Sequence, residues 1–214
     1  ASMCCGHWIS IWRRSAYPEA CNCPSLDKPS ITSTTTNKMA TEMSTTKATP
    51  KTTTMSSNLF SAVVAAPFGR MGIRTDGETL CELVYLPPTY ALSTPRDEFS
   101  REVAAQLRAY FKQPDFNFTI PVSEVGTTHQ RKVWQQIAAI PCGEVLTYAQ
   151  LARRIGSAPR AVGQACGANW YPLIIPCHRV TAANGIGGFA RHDGGFHQEV
   201  KRWLLWHERV PGYC

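Results

Sequence analysis

Apolar and β-branched residues gather first at Leu59 to Ala66 and again at Leu80 to Leu86, each run bounded by turn-forming residues. Runs of this length and make-up predict strands. Between them, Thr75-Asp76-Gly77 predicts a tight turn joining Met71-Gly72-Ile73 to Leu80-Cys81-Glu82-Leu83 in a hairpin. From Glu98 to Lys112 the period changes, with Phe99, Val103, Leu107 and Tyr110/Phe111 at helical spacing. The first unit therefore reads as a small sheet with a helix across it, and nothing in it suggests chemistry.

Around Ile120 to Gly126 the period breaks and a mostly helical unit begins. Thr127 and Gln130 form a capping-box pattern ahead of Val133, Trp134, Ile137 and Ile140, and Pro141 ends that helix. Thr147 and Gln150 repeat the pattern, which predicts a helix from Tyr148 to Ile155. After the Gly156-Ser157 turn, Pro159 suits the first turn of a third helix running to about Ala168. Two short helices so close together, the second carrying Ala161, Gly163, Ala165 and Gly167, resemble a helix-turn-helix. Pro172 to Pro176 is an apolar segment too short for a helix, expected to be extended and to deliver Cys177-His178-Arg179-Val180 from a buried position. Asn184-Gly185 marks a turn, Gly187-Gly188 and Gly194-Gly195 flank a loop, and Val200 to His207 predicts a final helix.

Ahead of these units, Ser30 to Ser57 is dominated by Thr, Ser, Lys and Met and is expected to be disordered. The pattern thus divides the chain into a low-complexity extension (1–57), an N-terminal α/β unit (58–125) and a C-terminal unit (126–214). No apolar run approaches the roughly 20 residues that span a bilayer, so no transmembrane helix is expected.

Charge adds little. The net charge is +7, and six of the 22 basic and three of the 15 acidic residues precede Asn58, which leaves +4 on the remainder. That excess permits a polyanionic partner without demanding one. Nine irregularly spaced cysteines argue against a disulfide framework and for a reducing compartment. The start of the chain lacks the basic-then-apolar order of a signal peptide, and the protein is expected to be intracellular, cytoplasmic or nuclear according to its source. Cys4, Cys5, Cys21 and Cys23 match no standard zinc spacing, and no metal is expected. No glycine pattern follows a strand and opens a helix as a dinucleotide or phosphate loop requires, so no diffusible cofactor is implied.

Chemistry points to Cys177. A thiolate is the nucleophile in cysteine chemistry, and a base or cation nearby must help it form. His178 follows at once, although adjacent residues on an extended strand face opposite ways and could cooperate only through a turn or a water. By itself the pair reads more readily as a structural cysteine beside a satisfied histidine than as a nucleophile and its base. Pro176-Cys177-His178-Arg179-Val180, with Asn169 eight residues before Cys177 and with Tyr148 and Arg160 in the helix-turn-helix, resembles the signature of the O6-alkylguanine-DNA alkyltransferase family. The likeness is strong from about Thr128 to His207 and looser back to Leu59.

The resemblance implies an α+β fold: a small sheet-plus-helix domain of ribonuclease H-like type, then a winged helix-turn-helix-like domain that binds DNA. It implies a monomer that takes the alkyl group of O6-alkylguanine, and of O4-alkylthymine, from double-stranded DNA irreversibly onto Cys177. In this reading His178 ionises the thiol through a water, Glu208 orients His178, and Asn169 fixes the active-site turn. Tyr148 rotates the 3′ phosphate of the target nucleotide and donates a proton to the leaving guanine. Arg160 fills the gap in the base stack, while Ala161, Gly163 and Gln164 lie along the DNA, where small side chains suit minor-groove docking. Val180, Phe189, Ala190 and Trp134 are assigned to the substrate pocket. Base extrusion follows, because a cysteine inside a fold cannot reach a substituent on a stacked base.

One stretch departs from the family pattern. Where many members read Gly-Tyr-Ser-Gly-Gly, this chain has Gly188-Phe189-Ala190-Arg191-His192-Asp193-Gly194-Gly195, with a longer loop and no hydroxyl at Ala190. Three other functions fit parts of the pattern. A DNA-binding relative without transferase activity would lack the acceptor cysteine. A cysteine hydrolase using Cys177, His178 and Glu208 would need an oxyanion hole. A transcription factor leaves the Cys177 segment without a purpose.

Overall fold

The computed structural model describes residues 59–192 and 194–213; the expectations for 1–57, for Asp193 and for the four N-terminal cysteines lie outside them. Strands β1 (Ala62–Ala66), β2 (Gly69–Thr75) and β3 (Leu80–Leu86) form an antiparallel sheet in sequence order. Asp76 makes the β2–β3 turn possible: its Oδ1 accepts the backbone N–H of Glu78 and of Thr79, at 3.0 and 2.6 Å.

Helix α1 (Glu98–Lys112) crosses the sheet on the expected bounds. Asp97 caps it by accepting Ser100 N–H while the Ser100 hydroxyl receives the Asp97 N–H, a closed capping box. Val103, Ala104, Leu107 and Tyr110 face the sheet and are buried. Val103 and Leu107 each contribute about 1.5–3 kcal/mol by leaving water. Leu107→Ala would remove about 2–5 kcal/mol through the cavity it leaves.

The C-terminal helices also follow their caps. Helix α2 (Thr128–Ala138) opens on the Thr127/Gln130 box and α3 (Tyr148–Ile155) on the Thr147/Gln150 box; both boxes are closed. Gly156 ends α3 in the left-handed conformation, φ 65°, which a residue lacking Cβ adopts without strain. Helix α4 (Pro159–Gly167) starts on Pro159 and packs against α2 and α3. The last helix, α5 (Phe196–His207), begins four residues before the expected Val200.

A short ladder was not anticipated, and the turn at Cys177 was expected only from the resemblance. Leu146–Thr147 (β4) pairs in parallel with Val180–Thr181 (β5), with Leu146 opposite Val180 and Thr147 opposite Thr181. Cys177–Arg179 is a single 3-10 turn rather than a continuation of an extended segment, because Arg179 N–H closes on Pro176 O at 2.9 Å. The core is continuous from Ile73 and Leu80 in the sheet through Leu107 and Trp134 to Leu151, Ile175 and Leu204.

Trp134 corrects an expectation. It is buried in this core, its Nε1–H donating to Ala165 O at 2.8 Å, and so braces α2 against α4 rather than lining the substrate cavity. Gly126 makes room for it: a Cβ there would lie 2.7 Å from the Trp134 ring, on a backbone with φ 86°.

Candidate active site

The 3-10 turn changes the geometry expected of Cys177 and His178. A turn, unlike a strand, lets neighbouring side chains serve one site. Both are buried, His178 completely. The turn is held by Asn169, beyond the end of α4, whose Nδ2 donates to Ile175 O at 2.8 Å and to Cys177 Sγ at 3.3 Å. Its Oδ1 accepts Tyr171 N–H at 3.0 Å. Asn169 therefore ties the apolar segment into a loop and places a donor on the sulfur.

His178 is oriented from α5. Its Nε2 lies 2.8 Å from Glu208 Oε1, the residue closing that helix. Glu208 Oε1 also accepts Tyr110 Oη and Arg179 Nη2, each at 2.9 Å, and Oε2 accepts Arg179 Nε at 2.8 Å. Arg179 Nη1 reaches on to Ile140 O at 2.5 Å. A carboxylate so surrounded fixes the imidazole with its proton on Nε2, which leaves Nδ1 as an acceptor. Nδ1 is buried, with no hydrogen-bond partner among the described protein atoms.

Electrostatics follow from burial and these contacts. Burial opposes charge on Glu208, yet His178 and Arg179 hold its carboxyl far below the usual range. Burial lowers the His178 pKa against the pull of Glu208, so the ring is neutral near pH 7 and able to take a proton. Burial also pushes the Cys177 thiol up, and the Asn169 donor, the Lys201 ammonium and its own backbone N–H pull it back. Ionisation of this sulfur depends on those neighbours.

Lys201 and Arg179 carry work that the sequence reading did not assign to them. Lys201 is fully buried on α5, its Nζ donating to Val180 O at 2.7 Å and Gly188 O at 3.1 Å. It also lies 5.8 and 5.7 Å from the Tyr148 and Phe189 ring centres. Burial lowers its pKa to about 8, opposed by Cys177 and Cys166. A signal was present: Lys201, Leu204, Leu205 and Glu208 share one face at helical spacing, and a lysine in an apolar stripe needs a reason.

A cavity of about 820 Å³ opens at Cys177, lined also by Tyr148, Arg160, Gly163, Gln164, Phe189 and Ala190. It brings together the expected nucleophile, DNA-facing residues and wall residues. Ala161 sits half-buried beside them on α4. Val180 lies behind the cavity, buried, with its carbonyl held by Lys201. Tyr148 Oη donates to Gly188 O at 3.1 Å across the cavity. Gly163 is open, since a Cβ there would meet only the Tyr148 ring, at 4.0 Å. Close helix packing does not explain that glycine. Cys166 shares the cavity, but burial pushes its thiol far above the ordinary value.

Among the described residues no group of three His, Cys, Asp or Glu is arranged to hold a metal ion, and no helix is long and apolar enough to cross a membrane.

A family model described as "6-O-methylguanine DNA methyltransferase, DNA binding domain" matches residues 128–210. A methylated-DNA–protein-cysteine methyltransferase of Methanosarcina mazei is 36% identical over 155 residues, covering 69% of this chain and 95% of that protein. The constitutive methylated-DNA–protein-cysteine methyltransferase of Bacillus subtilis is 43% identical over 112 residues, 51% of this chain and 66% of that one. The crystal structure of the Mycobacterium tuberculosis O6-methylguanine methyltransferase superposes with a TM-score of 0.59 at 32% identity, covering 70% of this chain and 93% of that one. A structure of the M. tuberculosis protein in complex with DNA gives the same score and identity, over 71% and 94%. The likeness spans the sheet as well as the segment that holds Cys177, His178 and Glu208, and on it the chain belongs to the methylated-DNA–protein-cysteine methyltransferase family.

Proposed function

We propose that the protein repairs double-stranded DNA by moving the alkyl group of an extruded O6-alkylguanine onto Cys177, once per molecule, and that it acts as a monomer. The observation that carries this reading is the shared cavity. The thiol of Cys177 opens into the same space as Arg160, Gly163 and Gln164 on α4, so a base leaving the stack beside that helix would arrive at the sulfur. Residues 58–125 then form the supporting domain, of ribonuclease H-like type. Residues 126–214 form a winged helix-turn-helix-like domain in which α3 and α4 are the two helices of the motif.

The steps follow from the residues. His178 Nδ1 takes the Cys177 proton through one water, while Glu208 stabilises the imidazolium that results. Asn169 and Lys201 stabilise the thiolate. The sulfur attacks the alkyl carbon, the S–C bond forms as the C–O6 bond breaks, and the electron pair leaves on the guanine. Tyr148 supplies the proton that quenches it. Phe189, Ala190 and the main chain at Cys177 and Val180 surround the base, and Arg160 occupies the gap in the stack. The thioether has no easy leaving reaction in water, so the protein is spent.

Incubation with an equimolar O6-methylguanine duplex, followed by mass analysis of the Cys177 peptide, tests the proposal. One added methyl group is expected in the wild type and none in Cys177→Ala. An unmodified wild-type peptide rejects the reading.

A further inference from the structure

The loop after Gly188 departs from the family pattern, and its first turn runs from Phe189 to His192. Phe189 and His192 exchange backbone N–H···O bonds of 2.8 Å in both directions. Ala190 and Arg191 are then the two corner residues of a tight turn, both left-handed at φ 50° and 67°. This is type I′ geometry, which Asn and Gly adopt readily and which costs a residue bearing an ordinary side chain. Contacts outside the turn must hold it.

Its base is tied to α3 and α5. Gly187 O accepts Gln198 Nε2 at 3.0 Å, and Gly188 O accepts both Tyr148 Oη and Lys201 Nζ. The His192 ring stacks on His197, 4.1 Å between centres and 3° from parallel. Its corner reaches the other way. Arg191 crosses to α4, where its Nε donates to Gly167 O at 3.2 Å. A helix C-terminus favours a cation. Gly167 makes the approach possible, because a Cβ there would lie 2.8 Å from Arg191 Cγ.

Resting on the alkyl-transfer reading, we propose that Arg191 is a specificity-determining strap: by tying the 189–192 turn to the end of α4, it holds the Phe189 wall over Cys177 and limits the O6 substituent admitted. Gly167, Cys177, Phe189 and Arg191 line one cavity. Phe189 is buried against Tyr85, with ring centres 5.4 Å apart, so the wall has no room to retreat into the sheet. On the Phe189 side the cavity would widen if the turn swung away from α4. A methyl group extends little beyond O6 and needs no such movement, whereas the ring of a benzyl group does.

Single-turnover transfer to Cys177 from O6-methylguanine and O6-benzylguanine, set in the same duplex, tests the strap in wild type, Arg191→Ala and Gly167→Ala. The second variant breaks the contact from the helix side. It leaves Arg191 in place, and alanine is the better helix former, so α4 persists. In both variants the benzyl-to-methyl rate ratio should rise by roughly fivefold, the most that one exposed charge at a helix end accounts for, with melting curves confirming the fold. A ratio that stays at the wild-type value, falls, or rises in one variant alone overturns the proposal. A wild type that acquires no methyl refutes the alkyl-transfer reading instead, so the two failures are distinct.

Discussion

Glu208 and His178 meet in the buried interior at 2.8 Å, and the same carboxylate is gripped by Arg179 through both of its oxygens. The pair therefore orients the base of the site and joins α5 to the nucleophile's turn. Glu208→Gln keeps the shape but strands the Arg179 charge, and breaking a buried ion pair from one side costs about 3–5 kcal/mol. Urea unfolding should register that loss, and single-turnover methyl transfer should slow by more than about tenfold. A variant as stable and as fast as wild type would contradict the assigned role.

Acid should unfold the protein in two stages. His178 resists protonation when folded, so its contribution is intact above its ordinary value of 6.5 and declines as pH falls through it. Glu208 is held far below its ordinary 4.5, so its contribution is present above that value and is lost on further acidification. Both groups act in the same direction. Urea midpoints measured from pH 8 to pH 3 should fall below about 6.5 and again below about 4.5, with the second drop reduced in Glu208→Gln.

Lys201→Met should move the pH profile of Cys177 alkylation by iodoacetamide upward, because the ammonium helps bring down a thiol that burial raises. Lys201 loses its own charge at about 8. The gap between wild type and variant should thus be widest below that pH and close above it, with the rate at pH 7 reduced by roughly threefold or more. Identical profiles would remove Lys201 from the chemistry.

Asn169→Ala removes the donor on both Ile175 O and Cys177 Sγ. A buried carbonyl left without its partner costs about 1–3 kcal/mol. Denaturation should show that loss, and transfer should fall further than stability does, since the sulfur also loses a hydrogen bond. Asn169→Asp should be worse, placing a carboxylate against the thiolate.

The elements were legible where local chemistry decides them. Four-residue capping boxes set the starts of α2 and α3, and the apolar period set α1. Of the Pro-Cys-His-Arg-Val signature, Cys177 lines one cavity with Tyr148, Arg160, Gly163, Gln164, Phe189 and Ala190, while His178, Arg179 and Val180 lie behind it. What escaped depended on tertiary contact. The β4–β5 ladder is two residues long and joins segments more than thirty residues apart, too short to leave a pattern. The 3-10 turn at Cys177 is closed by backbone bonds to the Ile175 and Pro176 carbonyls and by Asn169, not by the apolar side chains before it. Trp134 was misplaced because an aromatic near a site reads alike whether it faces the cavity or the core; only its bond to Ala165 O distinguishes the two. Arg179 was quoted as part of the signature, but its double grip on Glu208 requires a partner 29 residues away.

The short parallel ladder has a mechanical meaning. Tyr148 directly follows β4, and Cys177 opens the turn that leads into β5, so the hydroxyl and the sulfur flank one short backbone frame. A rocking of α3 on a bound duplex would carry the Cys177 turn along with it. On the proposed mechanism, proton donor and acceptor atom would thus keep their spacing on a bound duplex, however the helix settles against it.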